Sequence, residues 1–588
     1  MKKLFWILSI FFLLVSQTAC DTKVTQDPTP IATNDDWKRL TVRQKIGQTM
    51  MITSDYNMHK RISDGSLEAF FEKYPVGGFF IAEWLGNMQK PADLRFVEFV
   101  MQIMREYNEA SPLPLFFSED FEKGTGNQMF YDTDCDFCSK MPTIMALGAA
   151  NNPDLAYAFG KIVSQESRAM GFNWLLHPVA DLNMNPLHPL VVERSISDKA
   201  EIAIPILRAQ TLAMKEHGII STIKHFPGDG ATIRDQHLIT AANNLSLEEW
   251  KRTFGKVFEA VIKDETPSIM VGHLQFPAYQ NDPIDGVLPP ATLSKDIMTK
   301  LLKNEMGYKG VVISDAMNMG GPMGYYENVL EASVQCFLAG CDMILWPAIE
   351  YMDTVEARIN RGEIPMSRLD DAVERIWGLR EKYDLLTKKS EIATPLPADH
   401  ASYTAKNLTA LAESAVTLIQ DKNNDIPLCT EKIKKIMLVN VSYHQTRRDR
   451  EKDFDVLKEE LIARGFEVDI EHDFHLWSWE WRLNSELAQY DKFIVCFENS
   501  FLDPTGSPLL KGREAYYLWM VKMLPKNKVI SVSFSNPYYN TFYLSSTPLL
   551  INAYSRSHYM QRAVAKVLMG EVKATATSPV DLYNPIMR

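Results

Sequence analysis

The chain has 588 residues, 46% hydrophobic, 23% charged and 11% aromatic, with a formal net charge of −12. That composition excludes a disordered or fibrous chain, and the length suits two large domains. An acidic chain without a Lys/Arg run argues against nucleic acid or an anionic membrane as the main partner, leaving sugar, peptide and small-molecule chemistry open.

Met1-Lys2-Lys3 forms a basic head, followed by apolar residues 4–15 and then Ser16-Gln17-Thr18-Ala19-Cys20. Residues 1–20 therefore read as an export signal, too short for a comfortable membrane span. Cys20, directly after Thr-Ala, resembles the lipidated cysteine of bacterial lipoproteins, although Gln17 departs from the usual Leu. Residues 21–36, polar and rich in Pro and Thr, read as a tether. The expected location is the periplasm or cell envelope, with a lipid anchor at Cys20.

From 37 to 385, short apolar runs alternate with amphipathic stretches, the pattern of repeated βα units. The candidate strands are 47–53, 76–81, 115–118, 173–178, 220–224, 269–273, 311–314 and 343–346. Near-continuous apolar runs of this kind suit parallel strands buried on both faces. Helical patterns such as 153–170 and 246–263 lie between them, the second opening with a Ser246-x-x-Glu249 capping box. Eight βα units predict an α/β fold, a TIM-like (β/α)8 barrel. Asp120, Asp181, Lys224, His225, His273 and Asp315 fall at or just past strand C-termini, where barrel active sites are built. Residues 386–400 read as a linker, polar with two prolines. Over 401–588 a second, smaller α/β sandwich domain is expected, with strands at 435–441, 466–470, 493–497, 529–534 and 549–553.

Cys135-x-x-Cys138 has no second ligand pair, so a local disulfide or two unconnected thiols fits better than zinc. Cys336, Cys341 and Cys496 have apolar surroundings that suit core filler. No phosphate-binding glycine loop of Walker type is present. A metal site built from His225, Asp229, Asp235 and His237 is not expected, because they lack ligand spacing.

The segment KHFPGDGATIRDQH at 224–237 opens at a strand end, and Pro227, Gly228 and Gly230 delay the next helix. Asp235 and His237, two apart, can face the same side of an extended loop. An Asp that accepts from one imidazole nitrogen fixes the tautomer and leaves the other nitrogen to exchange a proton. From another wall, Val-Val-Ile-Ser-Asp315 offers a carboxylate that can act as nucleophile, base or helix cap.

KHFPG with its following D-x-H, "LPPATLS", "MGYKGVVISDAM" and "AGCDMILWP" resemble glycoside hydrolase family three, in particular its β-N-acetylglucosaminidase-like subgroup. The resemblance spans the barrel and continues through AVTLIQDKNNDIPL, SFSNPY and 562–582. It implies a retaining exo-glycosidase releasing terminal β-linked GlcNAc from peptidoglycan fragments or chitin-like oligosaccharides, with neither a metal nor an organic cofactor. Asp315 would be the nucleophile, His237 the acid/base and Asp235 its partner. Lys224, His225 and Arg194 would contact sugar hydroxyls, and Asp120 would grip the distal ones. Gly228-Asp229-Gly230 replaces the subgroup's G-H-G, and Glu122-Lys123-Gly124-Thr125 alters its E-G-G-R turn. These departures keep a β-glucosidase or a phosphorylase of the same family in view, with a silent glycan-binding lipoprotein as the remote rival. His273 and Glu498 suit structural roles; His177, Asp181 and Asn185 suit loop support beneath Arg194.

Overall fold

Eight apolar runs pair in chain order and curl until the last meets the one before it. The computed structural model describes residues 36–63, 65–81, 94–128, 135–387, 391–443, 453–474, 479–499, 508–510 and 512–587. The expected leader, Cys20 and the expected tether up to residue 35 lie outside them. The barrel strands are β1 (Met50–Thr53), β2 (Gly78–Phe80), β3 (Phe116–Glu119), β4 (Trp174–Leu175), β5 (Ile220–Phe226), β7 (Ser268–Val271), β9 (Val311–Ser314) and β10 (Ile344–Leu345). Two short strands, β6 (Ala241–Ala242) and β8 (Leu274–Gln275), pair with each other beside the mouth. The barrel order is β10-β1-β2-β3-β4-β5-β7-β9, all parallel, and an Ile313–Met343 bridge joins the two ends. The predicted (β/α)8 barrel is what the chain forms.

Period-two alternation fills it. Met51, Phe80, Phe116, Trp174, Met270, Val311 and Ile313 point into the lumen core, whereas Met50, Ile52, Phe79, Phe117, Ile269 and Val312 pack against the outer helices. The helix Pro153–Met170 runs as the sequence predicts, capped by Asn152 and stopped by Gly171. The expected helix 246–263 starts at its Ser246 capping box but breaks at Thr253 into Leu247–Arg252 and Phe254–Lys263. The break serves the mouth: Trp250 Nε1 donates to the Pro227 carbonyl, and the Phe254 ring lies where a Cβ on Gly228 would sit.

The second sheet contains β11 (Thr417–Asp421), β12 (Lys435–Tyr443), β13 (Glu467–Glu471), β14 (Lys492–Asn499), β15 (Val529–Ser533) and β16 (Leu549–Asn552), in the order β11-β16-β15-β14-β12-β13. It is parallel except for β11, an antiparallel edge strand that the sequence reading did not single out as a strand. Its faces alternate along β12, with Ile436 and Leu438 on one side and Met437 and Val439 on the other. Cys135 and Cys138 are disulfide-bonded, the first of the two alternatives left open above.

The barrel also contributes to the second core. Met145, Ala146 and Ala149, from the helix Ile144–Ala150, lie within it, and Thr143 Oγ1 donates to the Tyr554 carbonyl at 2.9 Å. Gly148 is needed at this seam, because a Cβ there would come within 1.9 Å of the Ile196 carbonyl oxygen. Gly148→Ala should therefore cost about 1–3 kcal/mol through overpacking, read as a lower denaturant midpoint; an unchanged midpoint would show that the seam can yield.

Candidate active site

The loops that follow β3, β4, β5 and β9 converge at the C-terminal mouth of the barrel, and their charges are arranged in pairs. Lys224, near the end of β5, reaches Asp120 at 2.6 Å and Glu122 at 2.8 Å. Arg194, from the turn Val192–Arg194, forks onto both oxygens of Glu122, each at 2.8 Å. Glu122, Lys224 and Arg194 are all largely buried. Burial alone would push the Glu122 carboxyl up, but Arg194 and Lys224 hold it well below the usual range. Burial would likewise lower Lys224, yet Asp120 and Glu122 hold its pKa above the usual ammonium value. A buried charge needs a partner, and here Glu122 serves two cations.

Beside this cluster, His225 Nδ1 bonds Asp181 Oδ2 at 2.6 Å, and Asp181 Oδ1 accepts the backbone amides of His225 and Asp229. His225 Nε2 then faces Asp315 Oδ2 at 3.8 Å. Burial opposes ionisation of Asp315, but His225, His273 and His237 together with the Ala316 amide bring its pKa below the ordinary value. Asp315 is therefore an ionised carboxylate at the end of β9. His273 bonds Thr292 Oγ1 at 2.8 Å and the Ala316 carbonyl at 3.0 Å, so it holds the peptide after Asp315 in place. Asp181 supports both His225 and the Arg194 loop, since its backbone carbonyl accepts the Ser195 hydroxyl at 2.7 Å.

The loop after β5 carries Asp235 and His237. Asp235 Oδ1 accepts both the His237 amide and Nδ1, each at 2.9 Å. That geometry places the proton on Nδ1 and leaves Nε2 for exchange with a bound molecule. The Asp235 side chain is 1% exposed and that of His237 40%, so a buried carboxylate steadies an accessible imidazole. The loop is tied down around this pair. Gly320 donates to the His237 carbonyl and Gly321 to that of Gln236, which links it to the segment after Asp315. Gln236 Oε1 accepts the His273 amide at 2.7 Å. Asp229 faces His188 Nε2 at 2.7 Å, while His188 Nδ1 accepts the Leu190 and Val191 amides. Asp229 is thus spent on the loop.

One mouth therefore gathers Asp120, Arg194, Lys224, His225, Asp235, His237 and Asp315, every site residue that the sequence singles out. Sequence reasoning missed Glu122 as the hub, His188 as the brace of Asp229, and Gln236. Among the described residues, no group of three or more His, Cys, Asp or Glu is placed to hold a metal ion. Chemically, the mouth offers an ionised carboxylate, an accessible imidazole with a fixed tautomer, and a charged corner rich in hydrogen-bonding groups.

The family model described as "Glycosyl hydrolase family 3 N terminal domain" matches residues 41–379. A beta-N-acetylglucosaminidase/beta-glucosidase of Cellulomonas fimi is 26% identical over 497 residues, 80% of this chain and 84% of that protein. Beta-hexosaminidase A of Pseudoalteromonas piscicida is 28% identical over 66% of this chain and 68% of its own length. Among solved structures, a beta-glucoside phosphorylase matches with a TM-score of 0.80 at 23% identity, covering 94% of this chain and 96% of that one. A family 3 beta-N-acetylglucosaminidase from Paenibacillus matches with a TM-score of 0.75 at 24% identity, covering 92% and 99%. These two likenesses establish the fold.

Removing Glu122 should be costly. Glu122→Gln leaves two buried cations short of a counter-charge and should cost about 3–5 kcal/mol near neutral pH. Because the pKa of Glu122 is depressed in the folded state, its contribution is present above the ordinary glutamate pKa and is lost as pH falls through the folded value. Denaturant midpoints measured against pH should thus drop on acidification less in Glu122→Gln than in the wild type; identical curves would contradict the charge assignment.

Proposed function

The chain belongs to glycosyl hydrolase family 3, and from that premise we propose that it is a retaining, exo-acting β-N-acetylglucosaminidase. Its substrate would be terminal β-linked GlcNAc in peptidoglycan fragments or chitin-like oligosaccharides. The observation that carries this reading is the pairing of an ionised Asp315 with a His237–Asp235 dyad on a loop hydrogen-bonded to the segment after Asp315.

In the first step Asp315 attacks the anomeric carbon while His237 Nε2 gives its proton to the departing glycosidic oxygen, leaving a glycosyl ester on Asp315. In the second, a water molecule loses a proton to His237 as its oxygen bonds the same carbon, and the Asp315 carboxylate is released. Asp235 stabilises the imidazolium whenever His237 carries both protons. A positioned acid/base of this kind contributes roughly 10²–10⁴-fold. At the closed corner, Asp120, Arg194, Lys224 and His225 grip the hydroxyls of the terminal sugar, which makes cleavage exo. The basic, apolar leader with Cys20 supports an exported protein lipid-anchored in the cell envelope.

A second reading has one specific support. Gly228-Asp229-Gly230 stands where the subgroup carries G-H-G, and Asp229 is turned onto His188, so this loop supplies no imidazole at that position. β-Glucosidase activity, or transfer to phosphate in place of water, fits that change. A neutral imidazole repels incoming phosphate less than a carboxylate would.

Release of p-nitrophenol from the β-GlcNAc and β-glucoside substrates, with and without phosphate, tests both readings. GlcNAc should be turned over faster; preference for glucose would favour the second reading, and acceleration by phosphate would add phosphorylase character. Asp315→Asn should abolish turnover while leaving sugar binding intact, and unchanged activity would refute the nucleophile. His237→Ala should lose about 10²–10⁴-fold on a GlcNAc disaccharide and less in the release of p-nitrophenolate, which departs without a proton. Equal losses on both would contradict the acid role.

A further inference from the structure

The charged corner lines one end of the mouth, and the rim around His237 is lined differently. Beside the accessible imidazole, Leu238 and Ile239 are 50% and 51% exposed, and Ile233 on the same loop is 61% exposed. The loop that carries them is held firmly. The Leu238 and Ile239 amides both donate to the Asp235 carbonyl at 3.0 Å, and Gly320 donates to that of His237. The Leu238 carbonyl oxygen lies 2.2 Å from where a Cβ on Gly320 would sit, and Thr240 Oγ1 donates to the Gly321 carbonyl at 2.8 Å. Met323, 40% exposed, ends the short helix that Gly320 opens, so it adjoins this rim from the segment after Asp315. Within the turn, Asp235 and Gln236 are buried, spent on His237 and on the His273 amide. What the turn presents to solvent beside the imidazole is therefore aliphatic. Single exposed apolar residues are ordinary, but several together on a fixed loop mark a surface that something covers.

We propose that Leu238, Ile239 and Met323 form an apolar leaving-group subsite, through which the enzyme also takes β-glycosides whose aglycone is an alkyl or aryl group. The inference rests on the reading of His237 as the acid given above. That reading puts the glycosidic oxygen at His237 Nε2, and the first atoms of the aglycone beside the next residues of the turn. Aliphatic side chains offer nothing to the hydroxyls of a second sugar, whereas hydrocarbon laid over them releases water from both surfaces. The contrast with Asp120, Arg194 and Lys224 at the other end of the mouth is one of chemistry, charged against aliphatic. The reaction is that of the glycosidase. As Asp315 bonds the anomeric carbon, the carbon–oxygen bond to the aglycone breaks, and the aglycone departs as an alcohol with the proton of His237. Water then returns a proton to His237 and leaves its hydroxyl on the sugar.

The test is the calorimetric Kd of ethyl, butyl and hexyl β-thioglycosides, which resist cleavage, with GlcNAc and with glucose as the sugar. On the sugar that binds, Kd should fall about ten-fold from ethyl to hexyl, short of the roughly 200-fold that complete burial of four methylenes gives. Leu238→Ser with Ile239→Ser should flatten the series to within about two-fold, and Met323→Ser should weaken it. Leu238→Met, which keeps the apolar surface, should preserve it. A wild-type Kd that does not change with chain length would overturn the proposal, as would an undiminished series in the double variant. Failure of both sugars to bind would overturn the glycosidase reading together with the subsite. Equal losses for His237→Ala on the p-nitrophenyl and hexyl glycosides would overturn the acid assignment, a failure that the Kd series does not imitate.

Discussion

The arrangement of the mouth depends on one carboxylate sharing itself between two buried cations. Arg194 and Lys224 come from different segments, and Glu122 bonds both of them. Without it, two positive charges would be buried with Asp120 as the nearest compensation, and Asp120 is partly exposed. Charge balance is therefore what brings the β3 loop, the Val192–Arg194 turn and the end of β5 into register. It also leaves Asp120 with an oxygen fixed on Lys224 at the edge of the pocket.

From that corner, order passes along β5 to the chemistry. Lys224 is followed by His225, which Asp181 orients toward Asp315. The same loop runs on to Asp235 and His237, pinned on its way by Trp250, His188, Gln236 and the glycines after β9. The scaffold supplies these positions cheaply, since barrel strand ends point their loops to one face. The second domain is more than a neighbour, because barrel residues lie in both of its cores, Met145 in one and Val192 in the other.

Much of this was legible in the sequence, for physical reasons that can be named. Parallel strands buried on both faces leave unbroken apolar runs, so all eight barrel strands could be found from the pattern of those runs along the chain. Capping at Ser246 and Asn152 is local chemistry, and its signals lie within a few residues. Asp315, Asp235 and His237 carry a recognisable spacing. What was not legible depends on partners distant in the chain. Glu122 looks like any turn glutamate until Arg194 arrives from 72 positions away. The break at Thr253 is set by packing of Trp250 and Phe254 against the 226–228 loop, which helical periodicity does not record. The edge strand β11, Thr417–Asp421, has a mostly half-buried, mixed pattern that reads poorly as a strand.

The central claim is that hydrolysis proceeds through a covalent sugar ester on Asp315. The most direct measurement is intact-protein and peptide mass spectrometry after quenching the enzyme with a slow-turnover, fluorinated substrate analogue. The account predicts one sugar residue per chain, located on the peptide that contains Asp315. A sugar attached to a different residue, or turnover with inversion at the anomeric carbon and no adduct, would contradict it.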